Sequence, residues 1–337
     1  MRFDHWISTV DTHTEGQATR IITGGLRPLP GESVAARMQF FKENLDFVRA
    51  SLISEPRGHK DMFGCVLTPP TLDGSDYGMF FMDNAGYMNM CGHATVGVST
   101  ALVELGMVNV VEPVTSIVFE TAVGIVKASV CVDHGRPRSV SFKNVPAYVE
   151  HLDTELSVPG IGTLKVDVAY GGNYFVFFSG EEAGIEVSMD NIKCVVDAGM
   201  RVLDAANAQL TVERPELGNG RPINIATILS APLDPAASYR NVHIFGPRQF
   251  DRSPGGTATS ARLAVLSAKG LVRPHEEITV ESITGGFFKG RILEQVMMNG
   301  KGTTLTEVTG SAHITGFHQF VMDSEDRLRH GFLIPDV

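Results

Sequence analysis

The pattern of hydrophobic and polar positions divides the chain into short strands and a few helices. Residues 116–132 read SIVFETAVGIVKASVCV, where apolar and β-branched residues alternate with others around a glycine. This pattern predicts a strand, a turn and a second strand. Residues 189–210 carry apolar residues at helical spacing and predict a helix with one buried face. The mixture indicates an α+β protein.

Two further stretches predict helices that are buried on most sides. Residues 94–106 and 257–270 are rich in small residues and helix formers, and each ends at a glycine, which is a common way for a helix to stop. Because neither stretch has a clear polar face, we expect each to be a central helix of its part of the molecule.

These two helices belong to an internal repeat. Cys91-Gly92-His93 aligns without a gap with Gly255-Gly256-Thr257, and both helices end at a glycine 15 residues after the first position. Two other blocks recur in the same order: VDTHTEG (10–16) with VDVAYGG (166–172), and IVFETAVGIV (117–126) with ITVESITGGF (278–287). Three ordered matches predict two pseudo-symmetric lobes, each a curved sheet around one helix.

The repeat also suggests where the lobes begin and end. We expect residues 1–155, rejoined by the C-terminal segment 310–337, to form the first lobe, and residues 156–309 to form the second. Enzyme sites commonly lie in clefts between lobes, so we expect the active site there.

Composition narrows the classes of partner. The chain has 337 residues and a net charge of −10, which argues against binding nucleic acid or an anionic membrane but permits a small anionic substrate. The N-terminus shows no signal-peptide pattern, and the four cysteines are widely spaced without a CxxC motif. These features predict a cytoplasmic protein with reduced thiols.

No motif predicts a metal or a nucleotide cofactor. His313 and His318 are five residues apart, which does not match the HExxH zinc pattern, and we expect no metal. The glycines at 171–172 and at 218–220 lack the GxGxxG spacing of a dinucleotide site.

Cys91 stands at the predicted start of the first helix. Free N–H groups and the helix dipole favour an anion at such a position, including a thiolate. A buried structural cysteine is the alternative interpretation, but the Gly92-His93 pair that follows favours a functional thiol. Two helix starts of this kind, facing each other, would hold one carboxylate from two sides.

Five motifs together resemble the proline racemase family: TVDTHTEGQATRIITGG, EPRGHKDMFG, NMCGHATVG, DRSPGGT and GSAHITGF, spread over roughly residues 5–333. That family includes proline racemases, 4-hydroxyproline epimerases and trans-3-hydroxy-L-proline dehydratases. The resemblance implies a diaminopimelate epimerase-like fold, with two barrel-like sheets around central helices. It also implies chemistry at Cα of a proline-type amino acid without a cofactor, and a homodimer.

The resemblance assigns a role to each matching position. Cys91 would be the acid/base of the first lobe, and Phe63 and Phe245 would wall an apolar pocket. Asp251 and the His93 side chain would face the ring nitrogen of the substrate. Backbone N–H groups would bind the substrate carboxylate, and they come from Gly92, His93, Gly256 and Thr257.

Gly255 departs from the pattern, because racemases and epimerases of the family carry a second cysteine there. Inversion at Cα needs an acid on the face opposite the base, and glycine has no proton to give. Loss of water from trans-3-hydroxy-L-proline needs one catalytic face only, and the family's dehydratases also lack the second cysteine, although they usually have threonine. We therefore expect a dehydratase that uses one thiol.

Three alternatives remain open from the sequence. The chain could be a racemase or epimerase whose second acid is a water molecule, an idle relative that binds proline-like ligands, or an enzyme for a substrate with a larger Cα substituent. The repeat also predicts that position 255 could accept a cysteine, since the matching position already holds Cys91.

Overall fold

The computed structural model describes residues 4–212, 222–298 and 300–334, so the glycines at 218–220 lie outside the described part. Within it the helices are α1 (Val34–Asn44), α2 (Asp46–Ile53), α3 (Gly92–Glu104), α4 (Ile192–Gln209) and α5 (Gly256–Ala268). The strands are β1 (His5–Thr14), β2 (Gln17–Gly24), β3 (Phe63–Thr68), β4 (Tyr77–Met82), β5 (Tyr87–Met88), β6 (Val114–Thr121), β7 (Gly124–Asp133), β8 (Arg136–Lys143), β9 (Ala147–Val158), β10 (Gly162–Tyr170), β11 (Tyr174–Ser179), β12 (Ile225–Ser230), β13 (Tyr239–Phe245), β14 (Gln249–Asp251), β15 (Glu277–Ser282), β16 (Phe287–Met298), β17 (Lys301–Gly310) and β18 (Ala312–Met322).

The chain divides into two compact units. The first consists of Met1–Met90, Ala94–Val140 and Ser311–Val337, and the second of Cys91–His93 and Ser141–Gly310. The start of α3 therefore belongs with the second unit. The lobe boundaries at residues 155 and 310 stay predictions from the sequence.

In the first unit, the sheet runs in the order β18-β1-β2-β3-β4-β6-β7. The pairs are antiparallel except for β2–β3 and β4–β6, which are parallel. The buried helix α3 packs on this sheet, since a Cβ at Gly97 would lie 2.5 Å from Oγ1 of Thr12 on β1. Small residues on the helix thus allow the sheet to approach its backbone.

In the second unit, eight strands close into a barrel in the order β9-β10-β11-β12-β13-β15-β16-β17, with β17 pairing back to β9. The helix α5 packs against five of these strands, and its residues Gly256–Ala261 are all buried. Helix α4 covers β12 and β13 with an apolar face that includes Val202 and Leu203.

The two units share their connections, which confirms the predicted α+β fold with two equivalent barrel-like sheets around central helices. From β1 to β7 and from β10 to β16, the same antiparallel and parallel pairs follow in the same order. Both central helices end in the same way: Gly106 and Gly270 have φ of +64° and +70°, and the residue after each donates its N–H to the carbonyl five residues earlier.

The matched acidic residues also have matching roles. Asp11 on β1 is buried in an ion pair with Arg20 at 2.7 Å, and Asp167 on β10 pairs with Arg262 at 3.2 Å. Both copies thus use the matched aspartate for a buried ion pair, although the arginine stands on β2 in one copy and on α5 in the other.

A second matched pair binds the backbone of a loop in each unit. Glu120 accepts hydrogen bonds from N–H groups of Val34, Thr71 and Leu72. Glu281 accepts bonds from N–H groups of Leu233 and Asp234. Each carboxylate is itself buried and ties a loop to its sheet.

None of the helices among the described residues is both long and apolar enough to cross a membrane.

Candidate active site

Cys91 lies immediately before α3, in the second unit, and only 2% of it is exposed. Its Sγ atom is 3.4 Å from Nε2 and 3.6 Å from Nδ1 of His93. Of the other cysteines, Cys65 is buried in β3, and Cys131 and Cys194 are exposed. The thiol that the sequence singled out is thus the one placed beside an imidazole at a helix start.

Asp251, the last residue of β14, brings a third ionisable group next to His93. Its Oδ2 lies 3.4 Å from Nδ1 of His93, and its Oδ1 accepts a hydrogen bond from the N–H of Ser253 at 2.7 Å. The His93 ring therefore lies between the Cys91 thiol and the Asp251 carboxylate.

This arrangement favours an imidazolium between two acidic groups. Burial opposes a charge on His93, but the charges of Cys91 and Asp251 outweigh it and raise the pKa of His93 to about 10. Burial likewise opposes ionisation of Asp251, yet the neighbouring His93 cation holds the pKa of that carboxyl below its usual range. A protonated His93 can stabilise a thiolate and return a proton to it.

The starts of α3 and α5 are in backbone contact. A Cβ at Gly92 would lie 2.6 Å from Cα of Gly256, and a Cβ at Gly256 would lie 2.9 Å from Cα of Gly92. The ring of Phe142 packs against both positions. Only glycine allows this approach, which brings the N–H groups of two helix N-termini together and creates a region that favours an anion.

The turn at Gly255 differs from the turn at Cys91. Gly255 has φ +76° and ψ 105°, a backbone conformation that favours glycine. A Cβ at this position would lie 2.7 Å from Cδ2 and 3.0 Å from Cε1 of His243, and closer still to Nε2. The expectation that a cysteine would meet no conflict at position 255 is therefore wrong, because both the backbone conformation and the His243 ring oppose a side chain there.

His243, on β13, is 2% exposed and has a partner on each nitrogen. Nε2 lies 2.9 Å from the carbonyl oxygen of Pro254, and Nδ1 lies 2.9 Å from Oγ1 of Thr227. A carbonyl can only accept, so Nε2 carries the hydrogen, and Nδ1 accepts from the threonine hydroxyl. Burial holds the pKa of His243 below its usual range, which keeps the ring neutral.

The sequence analysis did not identify His243, Thr227 or Phe142. A comparison of the repeat strand by strand gives a signal for the first two. Thr227 and His243 are directly paired across β12 and β13, and the corresponding pair across β3 and β4 is Cys65 and Phe81. A polar pair in one copy opposite a less polar pair in the other marks the place where the copies diverge.

The remaining predicted residues are in or next to the elements described. Thr257 is the second residue of α5 and is buried. Phe245 ends β13, is 5% exposed and is paired with Ile225. Phe63 begins β3 in the first unit and is 2% exposed. Contact of these side chains with a substrate stays a prediction.

Comparisons with known proteins agree with the resemblance seen in the motifs. The family model described as proline racemase matches residues 9–333. The chain is 42% identical to proline racemase of Clostridioides difficile over 99% of its own length and 100% of that protein. It is 37% identical to trans-3-hydroxy-L-proline dehydratase of Burkholderia ambifaria, with the same coverage.

Among solved structures, a hydroxyproline epimerase from Agrobacterium vitis with bound trans-4-hydroxy-L-proline superposes with a TM-score of 0.92 at 28% identity, covering 99% of this chain and 96% of that one.

Proposed function

Because the chain belongs to the proline racemase family, we propose that it removes the Cα proton of a proline-type amino acid with Cys91 as its single catalytic thiol. We further propose that its reaction is loss of water from trans-3-hydroxy-L-proline. One observation carries this choice of reaction: Cys91 lies beside the His93–Asp251 pair, whereas position 255 has no side chain and faces a neutral, fully hydrogen-bonded imidazole.

The substrate carboxylate would bind at the touching N-termini of α3 and α5, through the backbone N–H groups of Gly92, His93, Gly256 and Thr257. An anion held there would direct Cα toward the Cys91 thiol. The neighbouring Asp251 carboxylate would favour a protonated ring nitrogen on the substrate.

The thiolate of Cys91 would take the proton from Cα, so that an S–H bond forms as the Cα–H bond breaks. In trans-3-hydroxy-L-proline the carboxylate and the hydroxyl lie on opposite ring faces, so the Cα hydrogen lies on the same face as the hydroxyl. The new thiol can then give its proton to the departing hydroxyl. The C3–O bond breaks, a C2–C3 double bond forms and one water leaves, with no second acid required.

Racemisation or epimerisation is the second candidate function, and the 42% identity to a proline racemase favours it. It requires proton delivery to the opposite face of Cα. A positioned general acid contributes about 10²–10⁴-fold to such a step, and position 255 supplies none. We therefore expect inversion to be slower than water loss by about that factor.

The test is proton NMR in D₂O with the wild-type protein and separate samples of L-proline, trans-4-hydroxy-L-proline and trans-3-hydroxy-L-proline. We expect loss of the C3 hydroxyl from the 3-hydroxy substrate, and Cα exchange of the other two without inversion. Rapid inversion of L-proline without dehydration would establish the racemase instead. Binding of pyrrole-2-carboxylate, a planar mimic of the Cα carbanion, with no exchange of any substrate would contradict both functions.

A further inference from the structure

The ring of His243 occupies the volume that a side chain at position 255 would need. Three ring atoms lie within 3.0 Å of the place of a Cβ on Gly255. Real Cβ atoms do not approach other heavy atoms so closely, so one of the two groups has to be absent or displaced. In this chain the side chain at position 255 is absent, and the ring stands where the second acid/base group of the repeat would stand.

Hydrogen bonds fix the ring in that place. The Thr227 hydroxyl and the Pro254 carbonyl bind its two nitrogens, each at 2.9 Å. The Pro254 carbonyl also accepts a bond from Nδ2 of Asn241 at 3.1 Å. The ring therefore holds the peptide that leads into Gly255, in the conformation with φ +76°.

The same bonds prevent His243 from replacing the missing thiol as an acid. The one hydrogen on its ring is committed to the carbonyl of Pro254, and the lone pair on Nδ1 is occupied by the hydroxyl of Thr227. To donate to a carbanion, the neutral ring would have to become an imidazolate or take the threonine proton. Neither change is favourable at neutral pH.

Building on the proposed function, we infer that His243 is a specificity-determining residue that confines proton transfer at Cα to the Cys91 face. It does so by filling the second acid/base position and by holding Gly255 in a backbone conformation that excludes a side chain. A histidine at position 243 thus goes with glycine at position 255, and the type of reaction depends on both residues.

The experiment compares wild type with Gly255→Cys, His243→Ala and the double variant Gly255→Cys/His243→Ala. A second double variant, Gly255→Cys/His243→Gln, keeps a bulky hydrogen-bonding side chain and is the matched control. Two quantities are measured for each protein: the thermal unfolding midpoint, and the inversion rate of L-proline by chiral chromatography.

We expect Gly255→Cys alone to lower the unfolding midpoint by about 5 °C or more and to bring no inversion. In the His243→Ala background, the same cysteine should lower the midpoint by less than half as much. There it should also raise the inversion rate at least about 100-fold over wild type. In the Gly255→Cys/His243→Gln variant, the cysteine should lower the unfolding midpoint as much as it does alone, and no inversion should appear.

Equal destabilisation by Gly255→Cys in both backgrounds, or a double variant that does not fold, would show that the ring is not what excludes a side chain. Relief of destabilisation without inversion would overturn the control of the reaction by His243. Inversion by wild type that His243→Ala abolishes would make His243 itself the second acid. The unfolding measurements use no substrate, so they hold even if dehydration of trans-3-hydroxy-L-proline is not found.

Discussion

The turn before α3 and the turn before α5 occupy the same position in the repeat, yet a different kind of histidine lies beside each: His93 follows the first turn, and His243 reaches the second from β13. His93 lies between a thiol and a carboxylate, and those groups raise its pKa to about 10. His243 lies between a hydroxyl and a carbonyl, and burial keeps it neutral. The ionisable groups thus gather around His93, with Asp251 supplied by the segment that leads to α5, whereas His243 has only neutral hydrogen-bond partners.

Away from these turns, the two halves have kept their structural residues. The loop-binding carboxylates Glu120 and Glu281 and the helix-ending glycines Gly106 and Gly270 have the same roles in both. The comparison teaches that the scaffold and the chemistry of this fold can change independently. Variants at equivalent positions test that separation.

Substitution of the thiol should have the largest effect. A serine hydroxyl ionises far less readily than a thiol, so Cys91→Ser should lower turnover of trans-3-hydroxy-L-proline by about 10³-fold. Steady-state kinetics measure the loss, and circular dichroism checks that the fold is retained. Cys131→Ser and Cys194→Ser, at exposed positions, are the controls and should keep wild-type rates. Undiminished turnover by Cys91→Ser would remove this residue from the mechanism.

Substitution of Asp251, the carboxylate beside His93, should have the next largest effect on turnover. Asp251→Asn removes one of the two negative groups that raise the pKa of His93, so we expect a loss of turnover of about 10–100-fold. The protonated form of His93 is present below its pKa and is lost as pH rises through about 10. In the variant this alkaline limit should move to lower pH. NMR titration of the His93 ring protons measures the change, and an unaltered His93 pKa would contradict the assigned pairing.

The matched carboxylates should show a smaller effect on stability and no difference in kind. Glu120→Gln and Glu281→Gln each weaken charge-assisted bonds to loop N–H groups and should each cost about 1.5–3 kcal/mol of unfolding free energy. Glu120 binds more backbone donors than Glu281, but Glu281 also lies 3.9 Å from the buried Arg240 guanidinium, so we expect losses of similar size. Urea unfolding at pH 7 measures both, and a loss at only one position would break the equivalence.

Low pH should destabilise the wild type in part as Glu120→Gln does, because it protonates the Glu120 carboxylate. Burial opposes ionisation of this carboxyl, but its bonds from Thr71 and the loop N–H groups hold its pKa below the usual range. A lowered pKa gives stability that is present above the unfolded value and is lost as pH falls through the folded one. The difference between wild type and Glu120→Gln should therefore shrink in acid.

Asp83 offers a contrast between the halves, because Phe245 occupies its equivalent position in the second strand pair. Oδ1 of Asp83 accepts bonds from N–H groups of Ala85 and Gly86, whereas Oδ2 is buried and has no partner among the described residues. Burial raises the pKa of Asp83 from 3.8 to about 6. The folded state therefore binds this proton more tightly, and stability falls as pH rises from about 4 to about 6.

Asp83→Asn keeps the oxygen that binds the turn and removes the buried charge. It should stabilise the protein above pH 6, by up to about 3 kcal/mol, and the gain should vanish near pH 4. Unfolding midpoints across this pH range measure it. A variant that is less stable than wild type at pH 7 would show that the Asp83 carboxylate makes a favourable interaction.

Much of the fold could be predicted from the sequence, because the repeated residues have strict backbone or burial requirements. The closing glycines adopt positive φ, the repeated aspartates and glutamates hold buried partners, and the small-residue helices are buried as expected. The start of each central helix could also be located, since Gly92 and Gly256 are needed where two backbones touch.

The part of the candidate site that involves His243 could not be predicted in this way. This residue lies 12 positions before Gly255, in a strand whose alternation gives no sign of chemistry. Its approach to Gly255 depends on the hairpin register that pairs it with Asp251 and on the turn that follows. Register and turn geometry of that kind are set by tertiary packing, which local patterns do not specify.

The contact between the His243 ring and Gly255 also fixes the order in which such a site can change during evolution. An imidazole at 243 and a side chain at 255 oppose each other, so, on the proposal above, a lineage that begins with cysteine at 255 loses least stability if glycine replaces it before histidine enters. Once the ring is present, the return of cysteine alone should lower stability and restore no inversion. Recovery of a working second thiol should therefore require that the histidine leave first.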